Sequence, residues 1–160
     1  MFLLDTDVVS ALGPQRHAPA PQLADWLRAN SDDLYLSTIS IAEFKAGAAK
    51  LERIGAGERS RLIDRWIEAT VELFDRRILS FDLSVAMVAG ALQDRARAAG
   101  IEPGFADVAI AATAERHDLT ILTRNVRHFA PFNVPMHDPF AALPNGKPHG
   151  RGFHEGVSGR

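Results

Sequence analysis

The stretch FLLDTDVVSAL, residues 2–12, sets Asp5, Thr6 and Asp7 between two apolar segments. Its first three residues form the short apolar run that is typical of a buried strand in a parallel sheet. The second apolar segment, VVSAL, can form a helix that ends at Gly13. The two acids are therefore expected at the carboxyl end of a strand, where ligands bind in open α/β sheets.

Length and composition predict a single soluble domain. The chain has 160 residues, 46% of them hydrophobic, which is enough for one core of ordinary size. With 18 basic and 20 acidic residues, the formal charge of −2 excludes a polycation that coats nucleic acid over its whole surface. The absence of cysteine excludes disulfides and thiolate metal ligands. No segment has the roughly 18 apolar residues of a spanning helix, so we expect a cytoplasmic protein without membrane contact.

The end of the chain differs in composition from the rest. From Pro144 the sequence PNGKPHGRGFHEGVSGR contains five glycines and two prolines, and it has few apolar residues to bury. Such a composition is typical of a segment that stays outside a packed core. We therefore expect one domain at residues 1–143 and a flexible C-terminal tail at residues 144–160.

Short apolar runs alternate with amphipathic segments through the expected domain. Between Glu58 and Arg76, apolar residues recur every three or four positions, which predicts a long helix. Strands are predicted at 2–4, 34–37, 78–81, 120–123 and 134–137, and further helices at 22–30, 84–100 and 105–119. Because parallel strands need long crossovers, this alternation predicts an α/β fold with a central, mainly parallel sheet between two layers of helices.

Three further motifs place polar side chains at one predicted edge of this sheet. Ser40 precedes Glu43 by three positions, which matches a capping box and puts Glu43 in the first turn of a helix after the second strand. Asp107 lies in the first turn of a later helix, and Thr123 and Asn125 follow the strand TILT. Each acid alone could simply cap a helix or interact with its dipole. All of them, however, fall at the edge where the first strand ends.

Carboxylates that converge at one edge repel each other, and burial increases the cost. A divalent cation removes this conflict, and oxygen ligands without imidazole or thiolate favour Mg²⁺ or Mn²⁺ over zinc. Such a cation lowers the pKa of a water molecule and stabilises the charge on a phosphoryl group. The acids therefore indicate metal-assisted hydrolysis of a phosphodiester.

Four segments in order, LLDTDVV, STISIAEFKAG, FADVAIAATA and LTRNVRHF, resemble the motifs of PIN-domain proteins, especially toxin ribonucleases of the VapC and FitB type. The resemblance runs from Met1 to about Leu143. It implies a PIN-like three-layer α/β/α sandwich, a Mg²⁺ or Mn²⁺ cofactor and cleavage of RNA. It also implies a homodimer and a type II toxin-antitoxin system, in which a cognate VapB/FitA-type antitoxin inhibits the toxin and supplies the contacts to DNA.

The same resemblance assigns roles to individual residues. It implies that Asp5, Glu43 and Asp107 bind the metal and carry the catalysis. The hydroxyls of Thr6 and Thr123 are expected to support these acids. All five residues belong to the quoted motifs.

Other residues of these motifs have weaker assignments. Asn125 stands where the family often has a fourth acid, and its amide removes one negative charge that a second metal would use. Asp7 is interpreted as a helix-start residue or a support for the ligands. Arg124 and Arg127 are expected to bind RNA phosphates beside the acidic centre.

Two other functions remain open at this point. The segment DTDVV also matches the start of haloacid-dehalogenase-like phosphatases, in which Asp5 would be phosphorylated and Asp7 would act as acid and base. Against this, TILTRN lacks the paired acid of those enzymes, and the chain has no convincing downstream lysine. The second alternative is a non-catalytic partner in an antitoxin–DNA repressor complex, which agrees with the near-neutral charge.

Overall fold

A computed structural model describes residues 1–14 and 21–144 of the protein. Apart from Pro144, the tail predicted at residues 144–160 lies outside the described residues. The domain boundary at residue 143 therefore stays a prediction. Within the two described ranges, no helix combines the length and the hydropathy needed to cross a membrane.

Five short strands form one sheet. They are β1 (Phe2–Leu4), β2 (Leu34–Ser37), β3 (Ile78–Leu79), β4 (Thr120–Leu122) and β5 (Met136–His137). Their order in space is β3-β2-β1-β4-β5, and all four pairings are parallel. The α/β prediction is confirmed, and the sheet of the described residues is wholly rather than mainly parallel. Because β1 lies at the centre, the residue that follows it is flanked by the ends of β2 and β4.

Helices cover both faces of the sheet. The α-helices in the described part of the chain are α1 (Thr6–Ser10), α2 (Pro21–Ala29), α3 (Thr38–Arg53), α4 (Gly57–Phe74), α5 (Leu83–Ala98), α6 (Phe105–Arg116) and α7 (Val126–Phe129). The helices α3 and α4 pack against each other, and so do α5 and α6. These two pairs lie on opposite faces.

Alternation along β1 explains the two layers. Phe2 and Leu4 belong to a buried cluster with side chains of α1 to α4, whereas Leu3 belongs to a second cluster with α5 and α6. Successive side chains of a strand point to opposite faces, so three residues are enough to join both cores. The predicted three-layer α/β/α sandwich is therefore confirmed.

The start of α3 differs from the prediction. Its N-cap is Ser37, whose Oγ accepts a hydrogen bond from the Ile39 N–H at 3.1 Å. The predicted capping box at Ser40 is wrong, because the helix begins directly after β2 and Ser40 is a buried residue of its first turn. Glu43 consequently lies in the second turn of α3 rather than in the first.

Other helices begin or end within a few residues of the predicted positions. The helix predicted after the two acids begins earlier, at Thr6, with Asp5 as its N-cap. The helix end predicted for α5, a cap with Gly100 in the left-handed region, is confirmed. Gly100 has a φ of +78°, and the Ile101 N–H donates to the Ala96 carbonyl at 3.0 Å. This is a Schellman motif, which needs a residue in the left-handed region.

Candidate functional site

Asp5 is held between β1 and β4 at the carboxyl edge of the sheet. Its backbone N–H donates to the Leu122 carbonyl at 2.9 Å, which continues the pairing of the two strands. Its Oδ1 accepts from the Thr6 N–H at 2.7 Å, and its Oδ2 accepts from the Thr123 hydroxyl at 2.7 Å. The residue is only 6% exposed. Both carboxylate oxygens are therefore fixed in direction by neighbouring groups.

The environment of Asp5 disfavours its negative charge. Burial raises the pKa of Asp5 to about 6, and the carboxylates of Asp7 and Asp107 raise it further. The hydrogen bonds from Thr123 and Thr6 lower the pKa but do not cancel the effect of burial. Since an ordinary Asp titrates near 3.8, this site holds more negative charge than the protein alone compensates.

Asp7 connects the first turn of α1 with the loop after β4. Its Oδ2 accepts from the Arg124 N–H at 3.0 Å, while its buried Oδ1 has no hydrogen-bond partner among the described residues. Burial raises the pKa of Asp7, and the carboxylate of Asp138 adds to this effect. The structure thus puts Asp7 at the helix start and gives it a second contact that holds the loop.

Glu43 reaches the same edge from α3. Its Oε2 accepts a hydrogen bond from the Thr6 hydroxyl at 2.5 Å, so the residue after Asp5 is linked to Glu43. Glu43 itself is exposed on the surface of the helix. The Thr6 hydroxyl therefore holds the exposed carboxylate of Glu43 beside the residue that follows Asp5.

Asp107 lies in the first turn of α6 and is partly buried. Burial raises the pKa of Asp107, and the nearby His128 lowers it in part. The two side chains approach to 3.5 Å between His128 Nδ1 and Asp107 Oδ2. His128 was not among the site residues predicted from the sequence, although its place three positions after Asn125, in the same short turn, was a usable signal.

The loop after β4 presents the remaining predicted residues. The Asn125 N–H donates to the Thr123 hydroxyl at 2.9 Å, while the Asn125 side chain is exposed. The guanidinium of Arg124 lies over the ring of Phe140, 3.9 Å from its centroid, and Arg127 is exposed. A planar cation on an aromatic ring keeps its charge while its position becomes defined.

Sequence reasoning missed one acid at this edge. Asp138 directly follows β5, just as Asp5 follows β1, and its Oδ1 accepts from the Phe140 N–H at 2.9 Å. Its charge acts on Asp7 through space. The signal was available, because the predicted strand at 134–137 ends immediately before it.

The structure brings the predicted acids to one edge without closing them into a cage. Asp5, Asp7 and Asp107 interact electrostatically, and Glu43 joins them through Thr6. In residues 1–14 and 21–144, however, no three His, Asp or Glu side chains already form a metal-binding group. A preformed cage is not required for Mg²⁺, which keeps several waters and uses only one or two carboxylates directly. The oxygen donors, the raised pKa values and the unpaired Asp7 Oδ1 fit such a cation.

This combination of a parallel α/β/α sandwich with acids from β1, α3 and α6 at one edge of the sheet defines a class of proteins. Residues 2–131 match the family model of the PIN domain. The chain therefore belongs to the PIN-domain family, which confirms the resemblance seen in its four motifs.

Individual relatives are similar over nearly their whole length. Toxin FitB of Neisseria gonorrhoeae is 36% identical over 141 residues, which cover 88% of this chain and 99% of that protein. VapC ribonuclease Y4jK of Sinorhizobium fredii is 32% identical, with 88% of this chain and 98% of that protein covered.

Solved structures agree with these relatives. FitAcB from Neisseria gonorrhoeae superposes with a TM-score of 0.75 at 36% identity, covering 88% of this chain and 99% of that one. DNA-bound VapBC from Salmonella typhimurium superposes with a TM-score of 0.64 at 25% identity, covering 86% and 96% of the two chains.

Proposed function

We propose that this chain is a Mg²⁺- or Mn²⁺-dependent endoribonuclease and the toxin of a type II toxin-antitoxin pair. The observation that carries the proposal is the meeting of Asp5, Glu43 and Asp107 at the carboxyl edge of a PIN-domain sheet. Relatives that are 32–36% identical are named as a toxin and as ribonucleases, which supports the same reading. The expected location of the protein in the cytoplasm is part of this proposal.

Asp5 and Asp107 are the residues proposed to hold the cation, with Glu43 completing the site. When bound, a divalent cation supplies positive charge to the acids and to the phosphate, and it makes a water molecule a better nucleophile at neutral pH. The chain's own contribution is orientation. The Thr123 and Thr6 contacts hold Asp5, and the Thr6 hydroxyl holds Glu43 by a hydrogen bond. Arg124 and Arg127 offer positive charge to the RNA backbone beside these acids.

The proposed partners follow from the same family. A FitAB structure was solved bound to a DNA fragment, and it matches this chain with a TM-score of 0.75 at 35% identity. We propose that a VapB/FitA-type antitoxin inhibits this chain and that DNA is contacted only through the antitoxin. The homodimer implied by the family stays a prediction.

The phosphatase alternative has lost its basis, because the matched family is the PIN domain and not the haloacid dehalogenases. Asp7, its supposed acid and base, instead accepts the Arg124 N–H and holds a loop. The alternative of a non-catalytic partner in a repressor complex is tested by an assay for RNA cleavage by the purified chain.

The test compares the purified chain with its Asp5→Asn variant. Cleavage of cellular RNA should require added Mg²⁺ or Mn²⁺, stop with EDTA, and fall by about 1,000-fold in Asp5→Asn, as for loss of a main electrostatic group. Asp25→Asn is the matched control, because Asp25 is an exposed acid of α2. Undiminished cleavage by Asp5→Asn would remove Asp5 from the site, and absence of cleavage under all metal conditions would favour the non-catalytic alternative.

A further inference from the structure

Two grooves on this molecule share one arginine. The first has a volume of about 380 Å³ and is lined by Thr6 and Glu43 on one side and by Arg59 on the other. The second, of about 540 Å³, is lined by Arg59, Arg61 and Arg65. Both volumes fall within the roughly 300–1,000 Å³ that is usual for ligand sites. Arg59 therefore links the groove at the acidic edge to the exposed arginines in the first turns of α4.

The second groove, named here the α4 arginine groove, is lined by Glu58, Arg59, Arg61, Leu62 and Arg65. Its three arginines are exposed, and none forms a salt bridge with another described residue. Glu58 is the one acid of the lining, so that the groove is positively charged overall.

The neighbouring cation behaves differently. Lys45 on α3 forms a salt bridge with Asp64 on α4, so its charge is already compensated. In contrast, Arg61 and Arg65 are four positions apart on one helix, where like charges cost a few tenths of a kcal/mol. An anion bound between them would remove this repulsion. Arginine is well suited to phosphate because its planar fork donates two parallel hydrogen bonds.

The groove next to Glu43 has an apolar floor. Phe44 and Trp66 meet edge to face there, with ring centroids 5.0 Å apart, and both line the groove. Gly13 packs against the same tryptophan, where an added Cβ would lie 3.3 Å from the ring. Phe44 is only 6% exposed, so the two rings give this groove a partly apolar lining beside its charged residues and not a free stacking surface.

We propose that a single strand of RNA lies along the α4 arginine groove and enters the active site past Arg59. This inference rests on the proposed ribonuclease function and names the path of its substrate. Arg59 and Arg65 are six residues apart, about 9 Å along the helix axis. That length is enough for a short row of phosphates from one strand. The nucleotide nearest the acids lies in the groove of Thr6 and Glu43.

The experiment uses the triple variant Arg59→Gln/Arg61→Gln/Arg65→Gln. A 20-nucleotide, fluorescein-labelled single-stranded RNA is titrated with protein in EDTA, where binding is measured by anisotropy without cleavage. The variant's dissociation constant should rise by about 10- to 100-fold at low salt, because three phosphate contacts are lost. The slope of log affinity against log salt should become shallower by about 2, at about 0.7 per neutralised phosphate.

The matched control is the triple variant Arg28→Gln/Arg76→Gln/Arg97→Gln. These arginines lie on α2, after α4 and on α5, and their side chains are 75%, 96% and 54% exposed. Both triple variants change the net charge by the same three units. The control therefore measures how much the net charge of the protein alone contributes to RNA binding. Its affinity for RNA should stay within about threefold of the parent's, since distant exposed charges are largely screened.

Several outcomes would overturn the proposed path. These are equal weakening by both triple variants, unchanged binding in the α4 variant, and absence of RNA binding by the parent. Failure of the proposed function gives a different result: the parent binds the RNA through α4 but does not cleave it with Mg²⁺ or Mn²⁺. Circular dichroism of each variant verifies that α4 is still folded.

Discussion

The acidic edge and the α4 arginine groove contrast in how their charges are held. Asp5 is 6% exposed, and each of its carboxylate oxygens accepts a hydrogen bond. Arg59, Arg61 and Arg65 are exposed and form no salt bridge with a described residue. The acids are fixed by backbone and threonine contacts, whereas the arginines are attached to the fold only through the helix that carries them.

This contrast indicates that the acidic edge governs the rate of cleavage and that the α4 arginine groove governs the affinity for RNA. Burial makes the negative charge of Asp5 unfavourable. A bound cation offsets this unfavourable free energy by its attraction to the carboxylate. The exposed arginines have little effect on the folded state, and their interaction with a phosphate is weakened by salt. Substitutions at the edge should therefore change the rate of cleavage and the stability, while those on α4 should change the affinity for RNA.

After the loss already expected for Asp5→Asn, the largest effect is expected at Asp107. In Asp107→Asn, cleavage of RNA should fall by at least about 100-fold, because a carboxylate directed at the transition-state charge is lost. Its matched control is Asp94→Asn, an exposed acid of α5. Initial rates with Mn²⁺ at saturating RNA measure both variants. If Asp107→Asn cleaves like the control, Asp107 serves only to start α6.

The second prediction concerns pH and the stability of the metal-free protein. Asp5 has its pKa raised to about 6 from 3.8, so the folded state binds the proton more tightly than the unfolded state. The stabilising contribution of this proton is complete below about pH 4 and is lost as the pH rises through about 6. The loss amounts to about 3 kcal/mol, from roughly two pKa units at 1.4 kcal/mol each.

Urea unfolding in EDTA measures this contribution against Asp5→Asn, which lacks the titration. The parent's free energy of unfolding should drop relative to the variant's between pH 4 and pH 7. Added Mn²⁺ should then stabilise the parent at pH 7 more than the variant, because the cation replaces the proton. Parallel curves for the two proteins would show that Asp5 titrates normally.

A smaller effect is expected at Thr123, whose hydroxyl donates to Asp5 and accepts from the Asn125 N–H. Thr123→Val should lower cleavage by about 10-fold, as for loss of a group that orients a metal ligand. In the parent, the hydrogen bond from Thr123 lowers the pKa of Asp5. Its loss should raise that pKa and therefore move the acid limb of the pH–rate profile to higher pH. Thr123→Ser restores the donor and should recover both properties. A valine variant with parental rate and profile would contradict this role.

The smallest effect is expected for the stability of the α4 triple variant. Each Arg→Gln change in the α4 arginine groove should alter the free energy of unfolding by no more than about 0.5 kcal/mol, since exposed, unpaired side chains contribute little. Urea unfolding is compared with the parent at the same pH. A loss of several kcal/mol would show that these arginines hold α4 in place. The α4 arginine groove would then contribute to the stability of the fold, as the acidic edge does.

Most of the architecture could be predicted because it depends on local periodicity. The alternating apolar runs predicted all five strands, and the spacing between Glu58 and Arg76 predicted α4 to within two residues at each end. Boundaries were less certain where several polar residues compete as caps. Ser37 caps α3 instead of Ser40 because β2 ends there, and a strand end depends on pairing with neighbours.

The candidate site was predictable to a similar degree. Asp5 and Asp107 follow from their positions at a strand end and in a first turn, whereas Glu43 reaches the same edge although its helix begins at a different cap from the one predicted. The contact between His128 and Asp107 was missed. The place of His128 three positions after Asn125 put it near the site in sequence, but nothing local indicates that α7 approaches the start of α6. Their roles in catalysis stay predictions until the variants are assayed.

The sequence by itself determined that this chain alternates strands with helices, that an acid follows its first strand and that further acids lie near the starts of later helices, because these properties belong to short local patterns. Only the tertiary structure decided which groups meet. Pairing of β1 with β4 brings Thr123 to 2.7 Å from Asp5 across 118 positions of the chain. Packing of α3 on α4 joins Arg59 to the groove of Glu43. Such contacts depend on how distant segments bury their apolar faces together, which no local pattern encodes.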